Sequence, residues 1–189
     1  MLIVNNSFTD DDQAATRSEL KAEAKRSEKR GWAISMAIAV TVAVLLRLFV
    51  FEFVCISQSS MEPTLYSNNY VFMERVTYWF SQPSFGDVVI CQFPDSSATY
   101  VKRVIGTAGD TLEIKDGVLY INGQADRTYF SEDTQNTLPK TVVPEGCVYV
   151  LGDNRNVSVD SRAVGPLKLS MILGKALFVI WPPEHMHGL

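Results

Sequence analysis

The pattern of apolar and polar positions divides the chain into three stretches. Residues 1–30 are polar, rich in alanine and in charges of both signs. From Trp32 to Val50 the chain reads WAISMAIAVTVAVLLRLFV, 19 residues in which Arg47 is the one charge. A helix of about 20 such residues crosses the hydrocarbon layer of a bilayer. Arg47 falls near its end, where the stem can snorkel toward headgroups. After Val54 the pattern becomes short runs of β-branched and aromatic residues bounded by Gly, Pro, Asn and Asp, which predicts strands.

The predicted strands are Val88–Phe93, Tyr100–Ile105, Thr111–Lys115, Val118–Ile121, Gly146–Leu151 and Lys175–Ile180. Asp116-Gly117 joins two of them, and both central positions of such a two-residue turn favour positive φ, so a hairpin is expected there. Lys168–Met171 reads as the one short helix outside the apolar run. Residues 122–145 lack apolar periodicity and read as a loop-rich insertion, mobile and unimportant to any chemistry. The fold class predicted is mainly β: one N-terminal transmembrane helix, then an all-β domain of several small antiparallel sheets. The expected divisions are a polar tail at 1–30, an anchor at 31–54 and a β domain at 55–189.

Three other readings of the apolar run fit less well. A cleavable signal peptide has a shorter apolar region ending in small residues, whereas this run leads into Phe49, Phe51 and Phe53. A lipid-modified Cys55 would follow small residues, not Phe53-Val54. A buried core helix seldom combines so uniform an apolar run with a basic flank. Lys21, Lys25, Arg26, Lys29 and Arg30 crowd the near side against Glu23 and Glu28. Basic residues beside a span stay in the cytoplasm, so the N-terminus is expected inside and the β domain outside, in a single-pass cell-membrane protein.

Charge and cysteine content narrow the chemistry. The 189 residues carry a net charge of −4, and 1–30 hold six acids and six bases, so the whole excess belongs to the remainder. A nucleic-acid surface would be basic, so that class of partner is set aside. Cys55, Cys91 and Cys147 form no C-x-x-C pair and no Cys/His cluster, which removes the usual zinc and iron–sulfur patterns. Buried free thiols are the default for the three, with a Cys91–Cys147 disulfide as the alternative. No Gly-rich phosphate loop or ligand cluster occurs, so no metal, nucleotide or organic cofactor is indicated.

Three segments of the β region carry candidate chemistry. The first is Ile56-Ser57-Gln58-Ser59-Ser60-Met61-Glu62-Pro63-Thr64-Leu65. The second is Tyr100-Val101-Lys102-Arg103-Val104-Ile105-Gly106, and the third is the polar loop Leu151-Gly152-Asp153-Asn154-Arg155-Asn156-Val157-Ser158-Val159-Asp160-Ser161-Arg162. A hydroxyl is a poor nucleophile until a neighbouring base takes its proton. The two histidines, His185 and His187, lie in the last five residues, so for serine chemistry the composition leaves lysine as the candidate base. Taken singly, these residues have ordinary explanations: a serine in a turn, with Ser57 and Ser59 as rivals; a strand lysine whose ammonium reaches water; Asp153, Arg155 and Arg162 as surface charges of little energetic weight.

Together, and in this order after an anchor, the three segments resemble bacterial type I signal peptidase, the membrane-bound serine–lysine protease that removes signal peptides from exported proteins. Ser-Met-x-Pro-Thr-Leu and Gly-Asp-Asn-Arg-x-x-Ser-x-Asp-Ser-Arg, with Lys-Arg-x-x-Gly between them, carry the likeness over Val54 to Gly165. The resemblance implies cleavage through an acyl-enzyme, with Ser60 as nucleophile and Lys102 as general base. It further implies Ser158 hydrogen-bonded to the lysine, Asp160 paired with Arg162, and Asp153 with Arg103. The oxyanion would be held by the Ser60 N–H together with Gln58, through its side chain or its backbone; that position is usually small or hydroxyl-bearing in the family.

The implied substrates are signal peptides with small residues at the first and third positions before the cut. Ile56, Met61, Leu65 and Val101 are the candidate walls of their pockets, and strand addition at a sheet edge is the simplest binding mode. Lysine ordinarily titrates near 10.4, so a lysine base needs burial; a carboxylate bonded to it would do the opposite. Asp153 and Asp160 are therefore expected to turn toward the arginines. The aromatic stretches at Tyr70–Met73 and Tyr78–Phe80, with Phe85, suit a lipid-facing surface, making membrane lipid a second partner. The alternatives are a non-catalytic, membrane-tethered peptide-binding β domain and a self-cleaving serine–lysine protease, whose usual DNA-binding domain has no counterpart here. In right-side-out vesicles the N-terminal tail should resist added protease while the β domain is digested; the reverse pattern would overturn the orientation.

Overall fold

The computed structural model describes residues 10–128 and 137–189. The chain divides into two units, Met1–Arg47 and Leu48–Leu189. The first is built on one long helix, α1 (Asp10–Phe49). Its stretch from Glu28 to Arg47 has a mean hydropathy of 1.5 and is long and apolar enough to cross a membrane. Trp32, Ile34, Ile38 and Val42 are all exposed on it, an arrangement that water penalises and a bilayer core does not. Residues 17–30 of the polar tail are part of this same helix.

The second unit is β. Its strands are β1 (Phe51–Cys55), β2 (Tyr70–Glu74), β3 (Val88–Gln92), β4 (Thr99–Gly106), β5 (Thr111–Lys115), β6 (Val118–Ile121), β7 (Gln124–Asp126), β8 (Leu138–Val142), β9 (Cys147–Leu151), β10 (Leu167–Lys168), β11 (Ile172–Trp181) and β12 (His187–Gly188). Two sheets result. One has eight strands in the order β1-β2-β11-β3-β4-β9-β10, with β12 on β11, and the other has four in the order β7-β6-β5-β8. Neighbouring strands pair antiparallel throughout.

The elements follow from local chemistry where that chemistry is strong. The hairpin β5–β6 turns at Asp116 (φ 49°) and Gly117 (φ 75°), both positive as the turn residues require. β3 reads Val-Val-Ile-Cys without alternation because it is covered on both sides. Val88 and Ile90 pack with Ile56, Met61, Leu65, Val71 and Met73, whereas Val89 and Cys91 pack with Phe93, Val104, Val148 and Leu167. A third cluster, around Leu112, Ile114, Tyr149 and Leu151, joins the small sheet to the large one.

Several expectations are corrected. A strand begins at Phe51, inside the stretch assigned to the anchor, because Phe51 to Val54 pairs with β2 residue by residue. The insertion at 122–145 contains β7 and β8, which flank the β5–β6 hairpin; its residues 129–136, like residues 1–9 of the tail, lie outside the described residues. β8 escaped detection because Leu138 is its one buried residue. The expected Lys168–Met171 helix is a 3₁₀ turn at Leu169–Met171, and short helices also form at α2 (Thr77–Phe80) and α3 (Ser161–Val164). In the aromatic stretches, Val71 and Met73 belong to the core, while Trp79 and Phe80 are exposed. All three cysteines are free thiols, but only Cys91 is buried; Cys55 is exposed.

At Gly174 the backbone of β11 runs close under β2. A Cβ there would lie 2.5 Å from the Glu74 carbonyl oxygen and 2.8 Å from Met73 Cγ. Because the nearest atom is backbone, relief requires the strands to separate. Gly174→Ala should therefore cost about 1–3 kcal/mol, read as a lowered midpoint in urea; an unchanged midpoint would mean that β2 yields freely.

Candidate active site

Ser60 lies in the turn that follows β1, and two sets of backbone bonds fix it. On the upstream side, Ile56 N–H donates to Asn69 O (2.8 Å) and Asn68 N–H to Ile56 O (2.7 Å). From the polar loop, Asn154 N–H donates to Ser60 O (3.0 Å) and Asn154 Nδ2 to Ser59 O (3.2 Å). The loop thus grips the serine by its main chain and leaves its hydroxyl unengaged by that grip.

Lys102 projects from β4 with its side chain fully buried. Its cross-strand partner is Val89, and Cys91 faces Tyr100 two pairs further along. Its Nζ stands 2.7 Å from Ser60 Oγ. Burial drives the amine below the ordinary lysine range; the nearby Asp160 and Asp153 carboxylates pull it back up, and Arg162 pushes it down. The Cys91 thiol is itself pushed up to about 12 by burial, so at neutral pH it is uncharged and adds no anion beside the amine.

The carboxylates turn as expected. Arg103 donates from Nε to Asp153 Oδ1 (2.9 Å) and from Nη2 to Oδ2 (2.8 Å), a bidentate pair that is strong in geometry and specificity. Thr64 Oγ1 also donates to Asp153 Oδ2 (2.7 Å), tying the serine turn to the polar loop. Arg162 engages Asp160 the same way, at 2.8 and 2.9 Å. Asp160 further accepts from Gly152 N–H (3.0 Å) and caps α3 by accepting from Arg162 N–H, the usual task of an aspartate at that position. Each carboxylate is satisfied by cations and N–H groups other than the lysine.

Two expected positions differ. Ser158 Oγ makes no hydrogen bond and is buried, so the predicted bond to Lys102 is not formed. The serine side chain instead packs over Gly152: a Cβ at Gly152 would fall 2.2 Å from Ser158 Oγ and 2.5 Å from Ser60 O. Leu65 is fully buried in the core with Val71 and Met73 and lines no cavity at the serine. Ile56, Met61 and Val101 do line one, together with Val54, Cys55, Ser57, Gln58, Ser60 and Thr99. Sequence reasoning missed Cys55 and Thr99 there, although their place beside Ile56 and Val101 was a usable signal. It also missed Thr64 and Asn154 as braces; both sit inside the quoted motifs, but a hydroxyl or an amide announces no partner.

The comparisons with known proteins bear on this geometry. The family model described as signal peptidase, peptidase S26, matches residues 29–181. The chain belongs to this signal peptidase family. It is 40% identical over 147 residues to a probable signal peptidase I-1 of Synechocystis sp., covering 73% of this chain and 75% of that protein. It is 38% identical over 173 residues to signal peptidase I of Bacillus caldolyticus, covering 84% and 94%. A solved signal peptidase I from Enterococcus faecalis V583 is 31% identical, covers 50% of this chain and 97% of its own, and has a TM-score of 0.43. With this family model and these two curated relatives, the chain is a signal-peptide-cleaving peptidase.

The buried pair that braces the signal peptidase loop should dominate its stability. The Arg103 and Asp153 side chains are 6% and 1% exposed, so Asp153→Ala leaves a buried guanidinium without its counter-charge and should cost about 3–5 kcal/mol. Arg75 and Glu52 form a pair whose side chains are 40% and 41% exposed, and Arg75→Ala should cost less than about 1 kcal/mol. Equal losses for the two in urea unfolding would remove the loop's special standing.

Proposed function

We propose that this peptidase cuts by a serine–lysine dyad, with Ser60 as nucleophile and Lys102 as general base. The observation that carries the reading is the fully buried amine 2.7 Å from a serine hydroxyl, with the neighbouring carboxylates bonded to arginines instead. Lys102 takes the Ser60 proton as Oγ attacks the carbonyl carbon before the scissile bond. The developing oxyanion is met by the Ser60 N–H and by a donor of Gln58, an exposed residue on the cavity wall; fixed donors of this kind stabilise charge as it forms. The ammonium then protonates the departing amine, leaving an ester on Ser60. Water attacks that ester and gives a proton to Lys102, which passes it to the departing Ser60 Oγ as the carboxyl end of the signal peptide is freed, restoring the hydroxyl and the neutral amine.

Substrate selection is assigned to the narrow cavity bounded by Ile56, Met61 and Val101. Its apolar walls and small volume of about 30 Å³ suit small side chains. Among the described residues β1 pairs with β2 alone, so its outer edge offers backbone groups to an extended peptide. Ser158, whose buried hydroxyl has no hydrogen-bond partner, is assigned to orient the Lys102 ammonium. The chain is read as anchored by α1 with its N-terminus cytoplasmic, and Trp79, Phe80 and Phe85, all exposed, as its lipid contact.

Ser60→Ala and Lys102→Ala should each reduce kcat on a secretory precursor by at least about 10²–10⁴-fold, with the fold retained by circular dichroism. Activity retained in Lys102→Ala would remove the lysine from the base role. Only the neutral amine accepts a proton, and its pKa is lowered. kcat/KM should therefore climb with pH through that lowered value and plateau below lysine's ordinary range. The same group loses stability toward acid, since the folded amine resists a proton that the unfolded chain accepts until about pH 10.4. An acid limb that stays put when Arg162 is neutralised would count against Lys102 as its source.

A further inference from the structure

The nucleophile stands between two cavities. The narrow one, described above, is walled by Val54, Ile56, Met61 and Val101. The second is open to solvent and is lined by Ser57, Gln58, Ser59, Ser60, Ser67, Tyr100, Val157 and Val159. Ser57, Gln58 and Ser60 border both. A peptide drawn across Ser60 must put the residues before the cut in one cavity and those after it in the other.

β4 decides which is which. Alternate residues of a strand face opposite sides. Thr99 and Val101 line the narrow cavity. Tyr100 lines the open one and shares its side of the strand with Lys102, whose Nζ is 6.0 Å from the Tyr100 ring centre. The departing amine needs its proton from Lys102, so the chain that departs must leave on the lysine's side of β4. That side is the open cleft. No charged residue lines it, and its prominent apolar side chains are Val157 and Val159, 58% and 57% exposed on the polar loop. Two large apolar side chains held outward beside a nucleophile have no packing role within the β unit.

We propose that this cleft binds the first residues of the mature protein, those immediately after the cut, and that Val157 and Val159 set which residues are accepted there. The proposal rests on the serine–lysine reading. An uncharged, roomy cleft tolerates the varied N-termini of exported proteins, while its apolar rim disfavours charge directly after the cut bond, because a charged side chain gives up hydration on entering it.

The test uses the full chain in detergent and peptides identical up to the cut but carrying Glu, Ala or Lys at the first two positions after it. Wild type should favour Ala over both charged residues. In Val157→Asp/Val159→Asp the Lys peptide should overtake the Glu peptide in kcat/KM by about tenfold or more, since opposite charges a few ångströms apart at a protein surface attract by more than that factor requires. In Val157→Lys/Val159→Lys the order should invert. Preference at the first and third positions before the cut should hold in all three proteins. A folding defect would lower every peptide alike, whereas reciprocal inversion requires contact. The same Lys-to-Glu ratio in both charge variants, or a shifted preference before the cut, would overturn the cleft assignment while cleavage itself left the dyad standing. Wild type that cleaves none of the peptides would overturn both.

Discussion

A lysine nitrogen enclosed by sheet is the constraint on which the rest of the β unit depends. Water would hold that nitrogen as an ammonium; the interior of a protein does not supply the solvation an ammonium needs. β4 carries Lys102 into a region walled by Val89, Cys91 and Val104, and the group it reaches there is a hydroxyl rather than a carboxylate. The surroundings must therefore be polar enough to place Ser60 and yet hold every nearby anion away. The bidentate bonds of Asp153 to Arg103 and of Asp160 to Arg162 meet both needs at once. They satisfy two buried carboxylates, and they stitch β4, the serine turn and the polar loop into one rigid bracket.

That bracket explains why the motif is long. Arg103 is the residue after the lysine, so the strand that delivers the amine also carries one clamp. Thr64, four residues after Ser60, donates to the Asp153 held by that clamp. Asn154 follows Asp153 and grips the Ser60 carbonyl. Each residue acts on the serine–lysine distance through one or two bonds, and displacement of any of them is felt at the reacting oxygen.

How much of this was legible in the sequence follows the strength of each local signal. The β5–β6 hairpin announced itself through Asp116-Gly117, β3 through its continuous apolar run, and β4 and β9 through segments rich in β-branched and aromatic residues. The pairing of each aspartate with its arginine came from the family resemblance, whereas the turn of both carboxylates away from Lys102 followed from the need to keep that amine neutral. β7 and β8 were not, since strands that bury one residue or none carry no period. Leu65 was misread for a different reason: proximity in sequence to Ser60 says nothing about direction, and the helical bond from Leu65 N–H to Met61 O turns its side chain inward. β1 hid inside the anchor's reach because the phenylalanines that suit lipid also suit a sheet edge.

Ser158 shows what the bracket leaves adjustable. Its hydroxyl is buried and unbonded, a condition that costs about 1–3 kcal/mol if nothing compensates. It rests over Gly152, where any side chain would collide with it and with the Ser60 carbonyl. Gly152 is therefore a point of close approach between the polar loop and the serine turn, and Ser158 occupies the space beside it. A neutral amine can serve Ser60 without a second partner; an ammonium, formed once the proton has moved, needs more donors satisfied than one hydroxyl supplies. A free hydroxyl kept in the same loop, already desolvated, is the group with least to lose by turning to that ammonium. In the proposed reaction the unpaired oxygen is thus a reserve partner for the charged half of the cycle, and its lack of a bond in the resting molecule is consistent with a lysine that rests uncharged.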